Sequence, residues 1–242
     1  MAHGVTVDSS GNSYVTGYTD GGLDGNSSSG KQDFFLTKYN SSGTKEWTKQ
    51  EGSSGNDYAY GVAVDSSDNI YVTGYTDNKF HGNNKSGRFD IFLVKYNSSG
   101  ARQWTEQLGT SNNEYASAIA TDSSDNIYVT GMTWGGLDGS TKPKYCMGYG
   151  TVKAFKECTD IFLVKYNSSG TKQWTRQFGA PSFLEKSKYS SSSQMTTSED
   201  KGIGVAVDSS GNIYVTGNTE GGMDGNTNSG KNDIFLVKYN SM

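Results

Sequence analysis

Proline is almost missing from this sequence, with 2 in 242 residues, so its turns are left to glycine, asparagine, aspartate and serine. Leucine and isoleucine are scarce, and no stretch has a helical period. No apolar run approaches the ~20 residues a membrane-spanning helix needs. No signal peptide is visible, since residues 1–10 already read as a strand and a turn. Basic residues are not in excess. The net charge is -4, which excludes the broad positive surface that nucleic acid demands. Histidine occurs twice, at His3 and His81, and no Ser-His-Asp or Cys-His set clusters or repeats, so catalysis has no visible machinery. The two cysteines, Cys146 and Cys158, allow one intramolecular bridge and bring no further Cys or His for zinc.

What is present is aromatic and β-forming. The chain is only 32% hydrophobic, a value that alone suggests disorder, yet it holds 16 Tyr, 10 Phe and 4 Trp. Valine, threonine, tyrosine, glycine, serine and asparagine predominate, a mixture suited to strands and tight turns.

The chain repeats itself. "VTVDSSGNSYVTGYT" from Val5 returns from Val62, Ile119 and Val205 with small changes. "DFFLTKYNSSGTKEWTKQ" from Asp33 returns from Asp90 and Asp160, and in shortened form from Asp233. Asp8, Asp65 and Asp122 are spaced by 57 residues, while Asp122 to Asp208 is 86. The excess is two insertions, of 13 and 16 residues, near 140–158 and 180–200. A single domain over 1–242 is therefore expected, with units at about 4–50, 61–108, 118–178 and 204–240.

Each unit reads as four short strands: "GVAVD", "NIYVTGYT", "DIFLVKYN" and "KQWTRQ". The third is apolar on both faces, with Ile91 and Leu93 pointing one way and Phe92, Val94 and Tyr96 the other. Such a strand needs cover on both sides. Repeated four-stranded sheets, each sandwiched between neighbours, describe an all-β propeller with one blade per unit.

These phrases resemble the SBBP-type β-propeller repeats of bacterial proteins, and the resemblance covers nearly the whole chain. It implies a propeller and a bacterial setting, often extracellular or at the cell surface. It implies no established activity. The family is named for seven blades, whereas this chain has four units. Its tryptophan strand occurs only three times (Trp47, Trp104, Trp174). A closed four-bladed ring with one three-stranded blade is the first expectation. Half of an eight-bladed ring completed by a second chain, or part of a larger propeller, are the alternatives. An unfinished blade leaves an edge through which copies could pair.

The phrase "GGLDGN" and its variants fall between the second and third strands. Asp24, Asn26, Asp138, Asp224 and Asn226 make it a candidate polar-ligand loop, for a sugar or, less readily, calcium. The competing reading is a connecting turn, because the second copy carries His81 in the aspartate's place. Trp134 replaces an acidic residue of the other copies and is the candidate exposed aromatic contact. The recurring Asp33, Asp90, Asp160 and Asp233 are read as turn caps. The recurring Lys38, Lys95, Lys165 and Lys238 are read as strand-end lysines, with an anion-attracting ring as the alternative. In the first insertion, Lys144, Tyr145, Tyr149 and Phe155 form a candidate partner-binding loop, closed by a disulfide between Cys146 and Cys158. The second insertion reads as flexible and polar. Together these features indicate a non-catalytic binding or structural module without a cofactor, extracellular or at the cell surface, taking a protein or glycan partner; a multivalent lectin using the glycine-rich loops is the first alternative, and an enzyme with its site over the propeller axis the weaker one.

Overall fold

The computed structural model describes residues 1–140, 145–147, 155–180, 184–185, 194–195, 199–223, 225–227, 229 and 232–241. The first sheet orders β1 (Ala2–Val7), β2 (Ser13–Thr19), β3 (Asp33–Tyr39) and β4 (Lys45–Glu51) as an antiparallel meander. The second repeats it with β5 (Asp57–Val64), β6 (Ile70–Thr76), β7 (Asp90–Tyr96) and β8 (Arg102–Leu108). In the third, β9 (Glu114–Thr121) and β10 (Ile127–Thr133) are followed by an inserted hairpin, β11 (Tyr145–Met147) with β12 (Phe155–Glu157). The sheet then resumes as β13 (Asp160–Tyr166) and β14 (Lys172–Phe178). The second insertion pairs β15 (Leu184–Glu185) with β16 (Gln194–Met195). The fourth sheet has three strands, β17 (Lys201–Val207), β18 (Ile213–Thr219) and β19 (Asp233–Tyr239).

The first strand of each unit starts earlier than its repeated phrase suggests, at Asp57 and Glu114. A bulge accounts for this. Pairing shifts by one residue at Ala2/Gly4, Ala59/Gly61 and Gly202/Gly204, and at Thr130/Gly131 on the partner strand of the third sheet. The shift absorbs one extra residue and lets the strand run on. It also explains the glycine in every "VTG". A Cβ on Gly74 would stand 1.8 Å from the Tyr58 carbonyl oxygen, and one on Gly17, Gly131 or Gly217 would be equally blocked.

The sheets stack face to face in chain order. Phe34 and Leu36 of β3 share one core cluster with Ala59, Val62, Ile70, Phe92, Val94 and Tyr96 of the second sheet. Ile91 and Leu93 share another with Ala116, Ile119, Ile127 and Phe162 of the third. A third joins Ile161 and Leu163 to Ile213 and Val215 of the fourth. The double-sided strand thus has the two neighbours its sequence demanded, and each such buried side chain contributes roughly 1.5–3 kcal/mol. The tryptophans pack between sheets as well. A Cβ added to Gly100 or Gly170 of the following unit would lie 3.1 Å from Trp47 or Trp104. Single parallel bridges, Gln32 with Asn56, Phe89 with Asn113 and Thr159 with Glu199, stitch each unit to the next.

The expected closed four-bladed ring is corrected: the stack is open. Among the described residues, no sheet pairing and no core cluster joins the first sheet to the fourth. Val5 and Val7 are 69% and 64% exposed, and Ile234 and Leu236 are 88% and 69% exposed. Their counterparts Val62, Ile91 and Leu93 are buried.

Candidate functional site

The glycine-rich loop is built by backbone geometry. Asp24, His81 and Asp138 all have positive φ, between 49° and 52°, and the glycine after each does too. Two successive left-handed residues need glycine in one place and a residue that tolerates the strain in the other. Histidine meets that requirement, which is why the second copy survives without its aspartate. The loop is then pinned to the tryptophan strand. Asp24 accepts from Lys45 at 2.5 Å and from the Thr48 hydroxyl at 2.5 Å, while Asp138 is bonded to Lys172 and Thr175. His81 Nε2 meets Glu51 at 3.0 Å. The Lys45 and Thr48 bonds hold the Asp24 carboxyl below the usual carboxylate value. Asn26 donates to the carbonyls of Leu23 and Thr48. Asn226 repeats the first of these bonds, to Met223 O. Asp224 lies outside the described residues. Asp24, Asn26, Asp138 and Asn226 thus all make hydrogen bonds within their own unit. Among the described residues, no group of three or more His, Cys, Asp or Glu is gathered for a metal.

The lysine row has partners too. Lys38, Lys95, Lys165 and Lys238 each lie over a tyrosine ring, that of Tyr14, Tyr71, Tyr128 or Tyr214, at 5.1–5.8 Å. Lys38 also pairs with Glu46 at 3.0 Å. Each of those tyrosines donates its hydroxyl to the aspartate of the preceding "DSSGN" or "DSSDN" turn, as Tyr71 does to Asp65 at 2.8 Å. Three of the aspartates that open the third strand cap backbone N–H groups of the loop before it. Ser29, Ser86 and Ser229 donate to Asp33, Asp90 and Asp233.

Trp134 is half-buried, not a free-standing aromatic, with its ring edge-on to Tyr115 at 5.2 Å. That contact belongs to a feature the sequence reading missed. His3, Tyr18, Tyr58, Tyr60, Tyr75, Phe89, Tyr115 and Trp134 form a continuous chain of ring contacts across the first three units, with centroids 4.4–5.6 Å apart. Burial raises the phenol pKa of Tyr58, Tyr75 and Tyr115. The strip stops at the fourth unit, where Lys201, Ile203 and Asn218 take the tyrosine positions.

The partner-loop candidates divide. Lys144 and Tyr149 lie outside the described residues, and Tyr145 and Phe155 contribute backbone to the β11–β12 hairpin. Cys158 is buried at the foot of that hairpin. The side chain of Cys146 is outside the description, so the bridge expected between them is too.

The open end of the stack completes the inventory. Ile203, Ile234 and Leu236 make an exposed apolar face on the fourth sheet. Beside it, Thr219, Gly221, Met223, Asn226, Asp233 and Phe235 help to line a notch of about 210 Å³ along the unpaired edge of β19.

Comparison with known proteins agrees with this architecture. A family model described as SBBP, beta-propeller repeat, matches residues 2–24, 46–81, 103–138 and 173–222. An uncharacterized WD repeat-containing protein of Acanthamoeba polyphaga mimivirus is 28% identical over 174 residues, covering 62% of this chain and 12% of that protein. The regulatory protein FlaEY of Caulobacter vibrioides is 24% identical over 171 residues, covering 69% of this chain and 16% of that protein. The chain thus corresponds to a small part of the length of either relative.

Proposed function

We propose that this chain, which belongs to the SBBP β-propeller repeat family, is a non-catalytic interaction module that assembles by stacking blade on blade, in an extracellular or cell-surface setting where Cys146 and Cys158 are bridged. One observation carries the reading: two exposed apolar faces stand at opposite ends of the stack, and they are the two halves of an interface the chain already makes internally. Ile234 and Leu236 correspond to Phe34 and Leu36, which are buried against Val62. Val62 corresponds to Val5, which is exposed. What fits each face is another blade of the same repeat, and a second copy supplies one, its first sheet on the fourth sheet of its neighbour. A head-to-tail contact of this kind closes into a ring or runs on as an open assembly. The first face is the more polar half, since Ser13 and Thr37 stand where Ile70 and Val94 stand in the second unit. A reversible contact follows.

Light scattering at rising concentration tests this against the 26.1 kDa monomer. Assembly is expected in the unaltered chain, and Val5→Lys or Ile234→Lys is expected to abolish it. A monomer at every concentration overturns the reading. A second reading, glycan binding, is favoured by the aromatic strip and not by the glycine-rich loops. Stacking of a sugar on Tyr75 and Trp134 would appear as array binding lost in Tyr75→Ala.

A further inference from the structure

Four tyrosines of this chain come with both an acid and a cation. Tyr71 donates its hydroxyl to Asp65 at 2.8 Å, and Lys95 lies over the Tyr71 ring at 5.1 Å, its ammonium 3.9 Å from Asp65. Tyr14, Tyr128 and Tyr214 likewise donate to Asp8, Asp122 and Asp208, each with a lysine over the ring. Acids outside these turns have cations as well: Asp24 pairs with Lys45, Glu46 with Lys38, Glu51 with Arg102 and Asp138 with Lys172.

The junction of the first and second units, inside the stack, has the rings and the acids without the cation. Tyr18 stands edge-on to Tyr58 at 4.8 Å, and Tyr58 meets Tyr75 at 5.0 Å. Two carboxylates flank them. Gln32 bridges to Asn56 across the junction and donates to Asp20 at 2.5 Å. Asn56 gives its backbone N–H and its side-chain amide to Asp77, at 2.8 and 2.6 Å, two residues before Tyr58. Burial first, and then Tyr18, Asp77, Tyr60 and Asp20, raise the Tyr58 phenol, which puts both carboxylates within electrostatic reach of that ring. Asp20 is exposed, and Asp77 and the three rings are partly so. Among the described residues, neither carboxylate has an ion-pair partner, and no lysine or arginine lies over Tyr18, Tyr58 or Tyr75. Lys85 reaches the Asp77 backbone carbonyl, the Met1 amino group the Tyr18 carbonyl and Arg88 the Phe89 ring.

The blade does not impose this set. At the next junction Phe89 stands in the place of Gln32, Trp134 in that of Asp77 and Met132 in that of Tyr75. We infer that the corner formed by Tyr18, Tyr58, Asp20 and Asp77 seats an arginine side chain carried by a partner protein. A flat, weakly hydrated guanidinium stacks on a tyrosine face while its N–H groups reach carboxylates on two different residues. The aromatic strip runs on from the corner through Tyr75 and Tyr115 to Trp134, so residues flanking the arginine have apolar ground to lie on. The net charge of -4 also favours a basic partner. The seat uses neither exposed end face and requires charge, so it stands or falls apart from the stacking and the sugar binding proposed above.

The probe is the blocked peptide acetyl-Gly-Arg-Gly-amide, titrated into the full 15N-labelled chain and read by amide shifts. Saturating shifts are expected at Tyr18, Tyr58 and Asp77. The same peptide with citrulline, which keeps the shape and loses the charge, should bind about tenfold more weakly. Asp20→Asn and Asp77→Asn should each weaken the arginyl peptide about threefold, the loss of one exposed charge contact. Glu46→Gln, which removes an equal charge elsewhere on the first unit, should bind as the unaltered chain does. Equal binding of the citrulline peptide, shifts that do not centre on this corner, or indifference to Asp20→Asn overturns the inference. Tighter binding of tetramethylammonium than of the arginyl peptide overturns it too, since the corner would then hold a small quaternary cation and not a protein side chain.

Discussion

The carboxylates of Asp33 and Asp57 face one another over the bare α-carbon of Gly52: a Cβ placed there would stand 2.1 Å from Asp33 Oδ1 and 3.1 Å from Asp57 Oδ2. Both residues are fully buried, and neither Oδ1 has a hydrogen-bond partner among the described residues. The junction recurs. Asp90 acts on Glu114 between the second and third sheets, and Asp200 on Asp160 between the third and fourth.

Burial, and then the neighbouring carboxylate, push the Asp57 carboxyl above its ordinary value, and the same causes raise Glu114 and Asp160. A raised acid binds more protons folded than unfolded, so its contribution to stability falls as pH rises from the ordinary carboxylate value through the raised one. Asp57→Asn removes that fall and lets an amide N–H donate to Asp33. The variant should gain on the unaltered chain as pH rises through this window, on top of a pH-independent offset of about 1 kcal/mol from the new hydrogen bond. Denaturant midpoints along a pH series measure it, and a constant difference between the two chains would refute the shared-carboxylate account. The difference is the quantity to follow, because hydrogen-bonded carboxylates such as Asp8 and Asp122 are lowered and slope the other way.

Gly74→Ala should destabilise by about 1–3 kcal/mol or more, the cost of forcing atoms into a filled site. The clash is with the Tyr58 carbonyl oxygen, a backbone atom in a paired strand, so no side chain can swing away. Gly82→Ala is the comparison. It has positive φ but no atom within 4 Å of the added carbon, and its cost should be the smaller strain of a left-handed alanine. Urea titration of both variants orders them, and the reverse order would show that the bulge relaxes freely.

The repeat spacing and the double-sided "DIFLVKY" strand made the stacked-sheet fold readable, because both depend on side chains the sequence displays directly. The open ends were not readable. Val5 and Val62 are the same residue in the same phrase, and only the presence of a neighbouring sheet makes one exposed and the other buried. The aromatic strip was hidden for a different reason. Tyr60 is the bulge residue of its strand and its counterparts in other units are His3, Ser117 and Ile203, so no repeated letter marks the strip. The role of the glutamine near the end of each tryptophan strand was missed although the residue recurs three times, because the groups that Gln50, Gln107 and Gln177 bind, the N–H of Leu23, Phe80 or Leu137 and the carboxylate of Asp33, Asp90 or Asp160, lie far back in the sequence.

Deleting the bridge proposed between Cys146 and Cys158 gives a third test. Closing so short a segment removes loop entropy from the unfolded chain, worth ~2–3 kcal/mol. The bridged chain should show no reactive thiol until it is reduced. Cys146→Ser should lower the unfolding midpoint by a matching amount under oxidising conditions and by nothing in reductant. Two titratable thiols in the unreduced, unfolded chain would remove both the bridge and the oxidising setting it supports.

Calcium should have no effect on unfolding. A calcium loop needs several oxygens turned on one point and free to leave their present partners. Asp24 is held by Lys45 and Thr48, and Asp138 by Lys172 and Thr175, so an arriving cation must first displace a lysine at each. The second unit offers His81 instead of a carboxylate, at the same left-handed φ. The unfolding temperature in excess chelator and in millimolar calcium should therefore agree. Lys45→Met, which leaves the Asp24 carboxylate without its cation, is the variant most able to reveal a latent site. A calcium-dependent rise in its unfolding temperature, absent from the unaltered chain, would show that the lysine and not the loop geometry excludes the metal.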